Sequence, residues 1–87
     1  MKTIWKYELK IADEQIIKMP AHAEFLTVQL QRFRPCLWAL VEDTHTQREH
    51  RIQTIGTGHQ IGKLAAHYIG TYQTVDELVF HVFGEET

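Results

Sequence analysis

Short runs of β-prone residues, separated by turn residues, repeat along the whole chain. In the first run, residues 4–11, apolar side chains at 5, 7, 9 and 11 alternate with charged ones at 6, 8 and 10, which is the period of a half-buried strand. A second run follows directly after Asp13 and Glu14, so we expect a hairpin between the first two strands. Further runs lie at 24–31, 36–41, 48–55, 68–73 and 77–83.

Two of these runs are apolar on both faces, which is typical of central strands covered on both sides. They are residues 36–41 and 78–83. In the third run the alternation predicts Leu26, Val28 and Leu30 on the inward face. About seven strands with short connections indicate an all-β domain over residues 1–87, either a compact sandwich or a small barrel.

Several segments depart from this simple pattern. Ile52 and Ile55 have opposite parity within one run, so the pattern predicts either a bulge or an early end of that strand. Residues 33–35 are expected to turn and residues 84–87 to fray. The only helical candidate is residues 63–67, at most one short turn, which is the sole segment that favours an α+β alternative.

Composition narrows the class of protein. The 87 residues are 44% apolar and 23% charged, as in ordinary soluble domains. A single cysteine excludes an intrachain disulfide framework. No apolar run is long enough for a membrane helix, and the N-terminus lacks a signal-peptide pattern. With 9 basic and 11 acidic residues the net charge is −2, which disfavours general nucleic-acid binding. Surplus apolar strand surface predicts a homo-oligomer.

Residues 56–62 form the one glycine-rich segment and hold three of the five glycines. Glycines allow successive backbone N–H groups to converge on an anion. Thr57 adds a hydroxyl, and Lys63 adds a positive charge directly after the loop. We therefore predict ligand contacts from Thr57, Gly58, His59 and Lys63, although a long turn that needs glycine for its geometry is the more frequent reason for such a segment.

A basic-aromatic tip, Arg32, Phe33 and Arg34, is the second candidate ligand contact. Arginine side chains recognise phosphate groups well. We expect Arg32 and Arg34 to close the site formed by the glycine-rich loop. A solvated hairpin end is the alternative, and so is contact with a partner subunit.

Six histidines are the main oddity of the composition. No spacing typical of a zinc site is present, so no metal is expected. His45 and His50 flank a predicted hairpin and are expected at its surface. His81 lies in an apolar strand and is expected to be a hydrogen-bonded, half-buried residue. His59 lies on the glycine-rich loop, where no packing role is expected, so it remains a candidate ligand contact.

Five segments give the chain a resemblance to a family of small uncharacterised bacteriophage and prophage proteins. They are residues 4–9, 35–41, 55–59, 68–73 and 78–83. Members often carry glycine in place of His22 and an Asn-Gly-type turn in place of Phe33 and Arg34, so those turns are expected to differ here. The resemblance implies a phage product that acts in the bacterial cytoplasm or in the virion, and it supplies no catalytic residues.

Catalysis and cofactors are not expected from these residues. The chain contains no serine, and Cys36 opens an apolar strand as a small core residue. We therefore expect a non-enzymatic binding protein that sequesters a nucleotide-type immune signal of the host. A virion or host-protein interaction module without a small-molecule ligand is the alternative, and a histidine–metal phosphodiesterase is a third class.

Overall fold

The computed structural model describes residues 1–64 and 67–86, and it confirms an all-β fold with seven strands. The strands, in chain order, are β1 (Lys2–Glu8), β2 (Glu14–Pro20), β3 (Glu24–Gln31), β4 (Arg34–Glu42), β5 (Gln47–Gly56), β6 (His67–Gln73) and β7 (Val79–Gly84). Within the described ranges no helix has the length and hydropathy needed to cross a bilayer.

Two antiparallel sheets pack face to face. The three-stranded sheet has the order β1-β4-β3, and the four-stranded sheet has the order β2-β5-β7-β6. The core lies between them and is built mainly from the inward side chains of the central strands, such as Leu37, Val41, Ile52 and Val82. The doubly apolar runs therefore form β4 and β7, which are interior strands of the two sheets, as predicted.

The expected hairpin between the first two strands is wrong, because β1 and β2 belong to different sheets. β1 pairs with β4, and β2 pairs with β5. The backbone N–H and carbonyl of Lys10 are both bonded to the side-chain amide of Gln15, which holds the chain in a bend. The strand ends at Glu8, and Ile11 is exposed.

The inward face of β3 also differs from the prediction at one position. A bulge between Phe25 and Thr27 shifts the register against β4. It leaves Leu26 43% exposed, whereas Val28 remains buried and Phe25 packs against the core. A bulge places two residues opposite one, so the period-2 pattern fails there.

β5 contains neither a bulge nor an early end, in contrast to the prediction. Its pairing with β2 and β7 is regular throughout. Ile52 faces the core, and Ile55 lies on the outer face, beneath the segment that follows the strand. The Gln53 side chain donates to the Lys63 carbonyl at 2.8 Å and thereby ties that segment to the sheet. Ile52 and Ile55 point to opposite faces of β5, and both are apolar because both faces are covered there.

The hairpin between β3 and β4 turns at Arg32 and Phe33, one residue earlier than expected. Both residues have positive φ angles, 51° and 68°, which is the pattern of a type I′ turn. Arg34 and Pro35 already belong to β4. The other non-glycine residues with positive φ are His22 and Glu77 among the described ranges.

The acidic C-terminal segment is held in place as far as Glu86 and does not fray there as expected. Gly84 ends β7, and the Glu85 amide donates to the Arg51 carbonyl at 3.0 Å. Lys63 and Leu64 are not helical, and His67 opens β6. Ala65 and Ala66, the rest of the predicted helical turn, lie outside the described residues, as does Thr87.

Candidate functional site

A shallow groove lies on the outer face of the four-stranded sheet, where the segment after β5 folds back across β7 and β6. It encloses about 220 Å³. We call it the loop groove. The side chains that form it come from the strands and from the loop: Ile55, Thr57, His59, Ile61, Tyr68, His81 and Phe83.

A chain of hydrogen bonds runs along the floor of the loop groove. Thr57 Oγ1 lies 2.7 Å from His81 Nε2, and His81 Nδ1 lies 3.0 Å from Thr71 Oγ1. The Tyr68 hydroxyl lies 2.5 Å from the same Thr71 oxygen. The half-buried, hydrogen-bonded state expected for His81 is therefore confirmed, with both ring nitrogens bonded.

His59 occupies a central position in the site. It also lines a depression of about 510 Å³ beside Leu78 and Phe80, and another of about 400 Å³ beside Lys63. Its ring lies so close to the Gly56 backbone that a Cβ there would meet Cε1 and Nδ1 at 2.8 Å. Glycine at position 56 is therefore what leaves room for this ring next to the end of β5.

Two backbone N–H groups of the loop already have acceptors within the chain. The Thr57 amide donates to the Val79 carbonyl at 3.1 Å, and the His59 amide donates to the Gly56 carbonyl at 3.0 Å. Gly58, with φ of +85°, supplies the left-handed residue of this turn. Two of the expected donors are thus already engaged within the chain.

The charges near Lys63 are balanced. Asp13, Glu14 and Arg51 line the same depression. Hydrogen bonds from Arg51 to Glu14 and Glu85 raise the pKa of its guanidinium and hold it in place. An anion at this position would rely on Lys63, because Arg51 already has two carboxylate partners.

The structure does not bring Arg32 and Arg34 to the loop groove. They line a separate depression with Lys6 and Glu8, on the outer face of the three-stranded sheet. The two outer faces point away from each other across the core. The expectation that these arginines close the glycine-loop site within one chain is therefore wrong.

The remaining histidines have distinct environments. His45 Nδ1 lies 3.0 Å from the Ala21 carbonyl. His50, expected at the surface, is fully buried on the inner face of β5, because that residue shares its parity with Ile52. Its Nδ1–H donates to the Glu85 carbonyl at 3.0 Å, whereas buried Nε2 has no partner among the described residues. No group of three or more potential metal ligands occurs in residues 1–64 and 67–86.

Sequence reasoning missed the polar chain under the groove. Its members are His81, Thr71, Tyr68 and Thr57, which are far apart in sequence. The available signal was the β6–β7 hairpin, since Thr71 and His81 are direct cross-strand partners. The aromatic wall of the groove is formed by Tyr68 and Phe83, whose ring centroids lie 5.4 Å apart.

Fold and surface together define a small antiparallel β-sandwich with a groove of imidazole, aromatic and aliphatic side chains. The chain belongs to a family described as a domain of unknown function (DUF7352), whose model matches residues 1–87. No curated protein and no solved structure matches it.

Proposed function

We propose that the protein is a non-enzymatic binding protein that takes a nucleotide-type ligand in the loop groove. The observation that carries this proposal is the placement of His59, an exposed imidazole at the junction of three adjoining depressions. Its side chain makes no hydrogen bond to the described part of the chain, so both ring nitrogens are free for a ligand. Ligand sites commonly combine apolar walls with few polar groups of this kind.

The walls of the loop groove suit a flat heteroaromatic ring. Ile55 and Ile61 supply aliphatic contacts, and Tyr68 and Phe83 supply aromatic ones. Bases stack favourably on such aromatic side chains. Lys63 lies in the neighbouring depression, where its ammonium group would meet a phosphate attached to the ring.

The hydrogen bond between Thr57 and His81 resembles a nucleophile–base pair, yet its surroundings favour binding. The other hydrogen-bond partner of His81 is the Thr71 hydroxyl rather than a carboxylate. No negative charge is therefore placed to stabilise an imidazolium at His81. The amides of Thr57 and His59, the nearest candidates for an oxyanion hole, already donate to backbone carbonyls. This arrangement supports a ligand-holding role for the polar chain.

In its narrowest form, the proposal is a phage-encoded protein that acts in the bacterial cytoplasm and sequesters a nucleotide immune signal. The resemblance to small phage proteins supports this form. The groove is shallow, so a second copy or a large ligand surface would be needed for tight sequestration.

Thermal-shift and ¹⁵N–¹H correlation measurements with cyclic dinucleotides and ADP-ribose derivatives test the proposal. We expect a rise in the melting temperature and shifts of the amides of residues 56–63. Gly56→Ala is the sharpest variant, because the added Cβ displaces the His59 ring without removing it. It should weaken binding about tenfold or more, as His59→Ala should, whereas His22→Ala, an exposed histidine elsewhere, should not.

Two results would overturn the proposal. One is the absence of stabilisation by every ligand at millimolar concentration. The other is binding that is unchanged in both Gly56→Ala and His59→Ala, since the ligand would then lie elsewhere.

A protein-interaction module is the second candidate function, because the outer face of the three-stranded sheet is apolar and uncovered at the end away from the β3–β4 turn. Ile4 is 57% exposed and pairs with Leu40 on β4. Half-buried Trp38 and the bulged Leu26 continue the surface. Three strands of this length cover only about 300 Å² per copy, so a partner on this face would bind weakly.

We propose a second copy of the chain as the occupant of this apolar face. Lys2 lies on the edge strand β1 and Glu24 on the opposite edge strand β3. A two-fold axis along β4 places β1 of one copy over β3 of its partner, so Lys2 approaches the partner's Glu24. A two-fold axis perpendicular to the strands would instead place β1 of one copy over β1 of its partner and bring lysines of the two copies close together.

Sedimentation equilibrium between 10 and 500 µM (roughly the range for a small interface) tests self-association. Ile4→Glu should abolish it. Ile16→Glu, an equally exposed isoleucine on the other sheet, should leave it intact. Lys2→Glu should weaken the dimer, and Lys2→Glu combined with Glu24→Lys should restore it. A monomer at all concentrations would refute this candidate.

A further inference from the structure

A depression at the β3–β4 turn gathers cationic side chains from β1, from β4 and from the turn itself. We call it the arginine depression; it encloses about 600 Å³ and is lined by Lys6, Glu8, Gln31, Arg32, Arg34 and Cys36. Three basic side chains face one carboxylate, which leaves an excess of two positive charges in a chain whose net charge is −2. Such local excess attracts anions.

The register explains why these residues converge. On β1, Glu8 is the direct partner of Cys36, and on β3, Gln31 is the direct partner of Arg34. All four residues share the outward parity, opposite to that of buried Leu37. Cys36 is nearly inaccessible and forms the floor, while Arg32 stands on the turn at the rim.

The existing contacts leave donors available. Lys6 Nζ donates to Gln31 Oε1 at 2.6 Å, which orients the Gln31 amide NH₂ for another acceptor. Arg34 is bonded to Glu8 through NH1 alone, and both side chains are well exposed, so this pair is weak. Arg32 has no hydrogen bond or ion pair to any described residue.

The turn adds a further observation. Arg32 and Phe33 stand at the two positive-φ positions, where asparagine and glycine are strongly favoured. Phe33 is 77% exposed, so packing does not account for its presence. A residue pair that is unfavourable for the backbone and not used in the core suggests a role at the surface.

We propose that the arginine depression is a second ligand site, separate from the loop groove, that binds a pyrophosphate-type anion through Lys6, Arg32 and Arg34. Charge-assisted hydrogen bonds from the two guanidinium groups hold the phosphate oxygens. Phe33 offers its ring to an organic group attached to the anion, such as a nucleoside.

Calorimetry and ¹⁵N–¹H correlation spectra with inorganic pyrophosphate and with a nucleoside diphosphate test this site. Pyrophosphate should shift the amides of residues 31–34 and leave residues 56–63 unchanged. Arg32→Gln and Lys6→Gln should each weaken binding about tenfold. The matched controls Arg48→Gln and Lys18→Gln, exposed cations away from the depression, should change it less than about twofold.

Two further variants give outcomes of opposite sign. Glu8→Gln should strengthen pyrophosphate binding several-fold, because it removes the competing carboxylate. Phe33→Ala should weaken binding of the nucleoside diphosphate and leave binding of inorganic pyrophosphate unaffected. This difference distinguishes an organic ligand from the free anion.

Several results would overturn this inference. Equal effects of all four cation substitutions would indicate diffuse attraction rather than a site. Shifts confined to residues 56–63 would place the anion in the loop groove and would support the proposed function instead. By contrast, a loss of nucleotide binding in Gly56→Ala, with pyrophosphate binding at the depression intact, would support the inference, because it would separate the two sites.

Discussion

The β3–β4 turn stores backbone strain that substitution should release. Arg32 and Phe33 both hold the left-handed conformation, which costs about 1–2 kcal/mol for each non-glycine residue. Replacing them with asparagine and glycine, as R32N/F33G, installs the pair that a type I′ turn prefers. The relief is largest at position 33, where glycine removes the Cβ.

Two losses offset this relief. Phe33 is 77% exposed, so its removal gives up about 50 Å² of buried surface, or about 1 kcal/mol. Glycine also widens the unfolded ensemble, which costs about 0.5–1 kcal/mol. Against about 2–3 kcal/mol of released strain, the net gain in the free energy of unfolding is about 1 kcal/mol. That corresponds to a rise of about 4–8 °C in the melting temperature.

Urea unfolding followed by tryptophan fluorescence and far-UV circular dichroism measures this gain. The matched control is R32A/F33A, which loses the same contacts but keeps a Cβ at both positions and therefore keeps the strain. If R32N/F33G is no more stable than R32A/F33A at an unchanged denaturant slope, the positive φ angles carry no energetic cost and the reasoning fails. Because R32N/F33G lacks Arg32, it should also bind pyrophosphate about tenfold more weakly while gaining stability.

Three further predictions concern other parts of the fold. Gly84→Ala should destabilise by about 1–3 kcal/mol in urea unfolding, because the new Cβ meets Phe25 and Ile69 side chains at 2.9 Å; an unchanged midpoint would contradict the close packing at that point. Glu77→Gly should stabilise by about 1 kcal/mol, since Glu77 is exposed at φ of 67°, whereas Glu77→Ala should not. Burial raises the pKa of Tyr72 above the ordinary tyrosine value of 10.0. The stability that Tyr72 contributes is therefore fully present below that pH and declines as pH rises through the folded-state pKa; Tyr72→Phe should flatten this alkaline decline, and an unaltered profile would exclude Tyr72 as its source.

Strand positions were predictable because short β-prone runs, either alternating or apolar on both faces, are bounded by turn residues. The run 24–31 coincides with β3, and the doubly apolar runs coincide with interior strands. Pairing was less predictable, because Asp13 and Glu14 look like a hairpin turn although the strands on either side enter different sheets. Local turn chemistry says nothing about which long-range partner offers the larger apolar face.

The candidate sites show the same division between local and long-range information. Glycines at 56 and 58 correctly mark a sharp turn, and His59 does emerge at a groove. The engagement of the Thr57 amide within the chain was not predictable, because the Val79 carbonyl that accepts from it is 22 residues away. His81 and its hydroxyl partners were hidden for the same reason, since only strand pairing brings them together.

The separation of the cations from the loop groove has a consequence for what the protein binds. Lys63 sits among Asp13 and Glu14, whereas Lys6, Arg32 and Arg34 lie on the opposite face with one carboxylate. A nucleotide held by its ring in the loop groove would therefore have little charge compensation for more than one phosphate. In a cyclic dinucleotide or an ADP-ribose derivative held there, Lys63 would meet one phosphate and the second would remain in solvent. A free polyanion without a ring matches the arginine depression better. Binding at the two faces should therefore be separable by single substitutions.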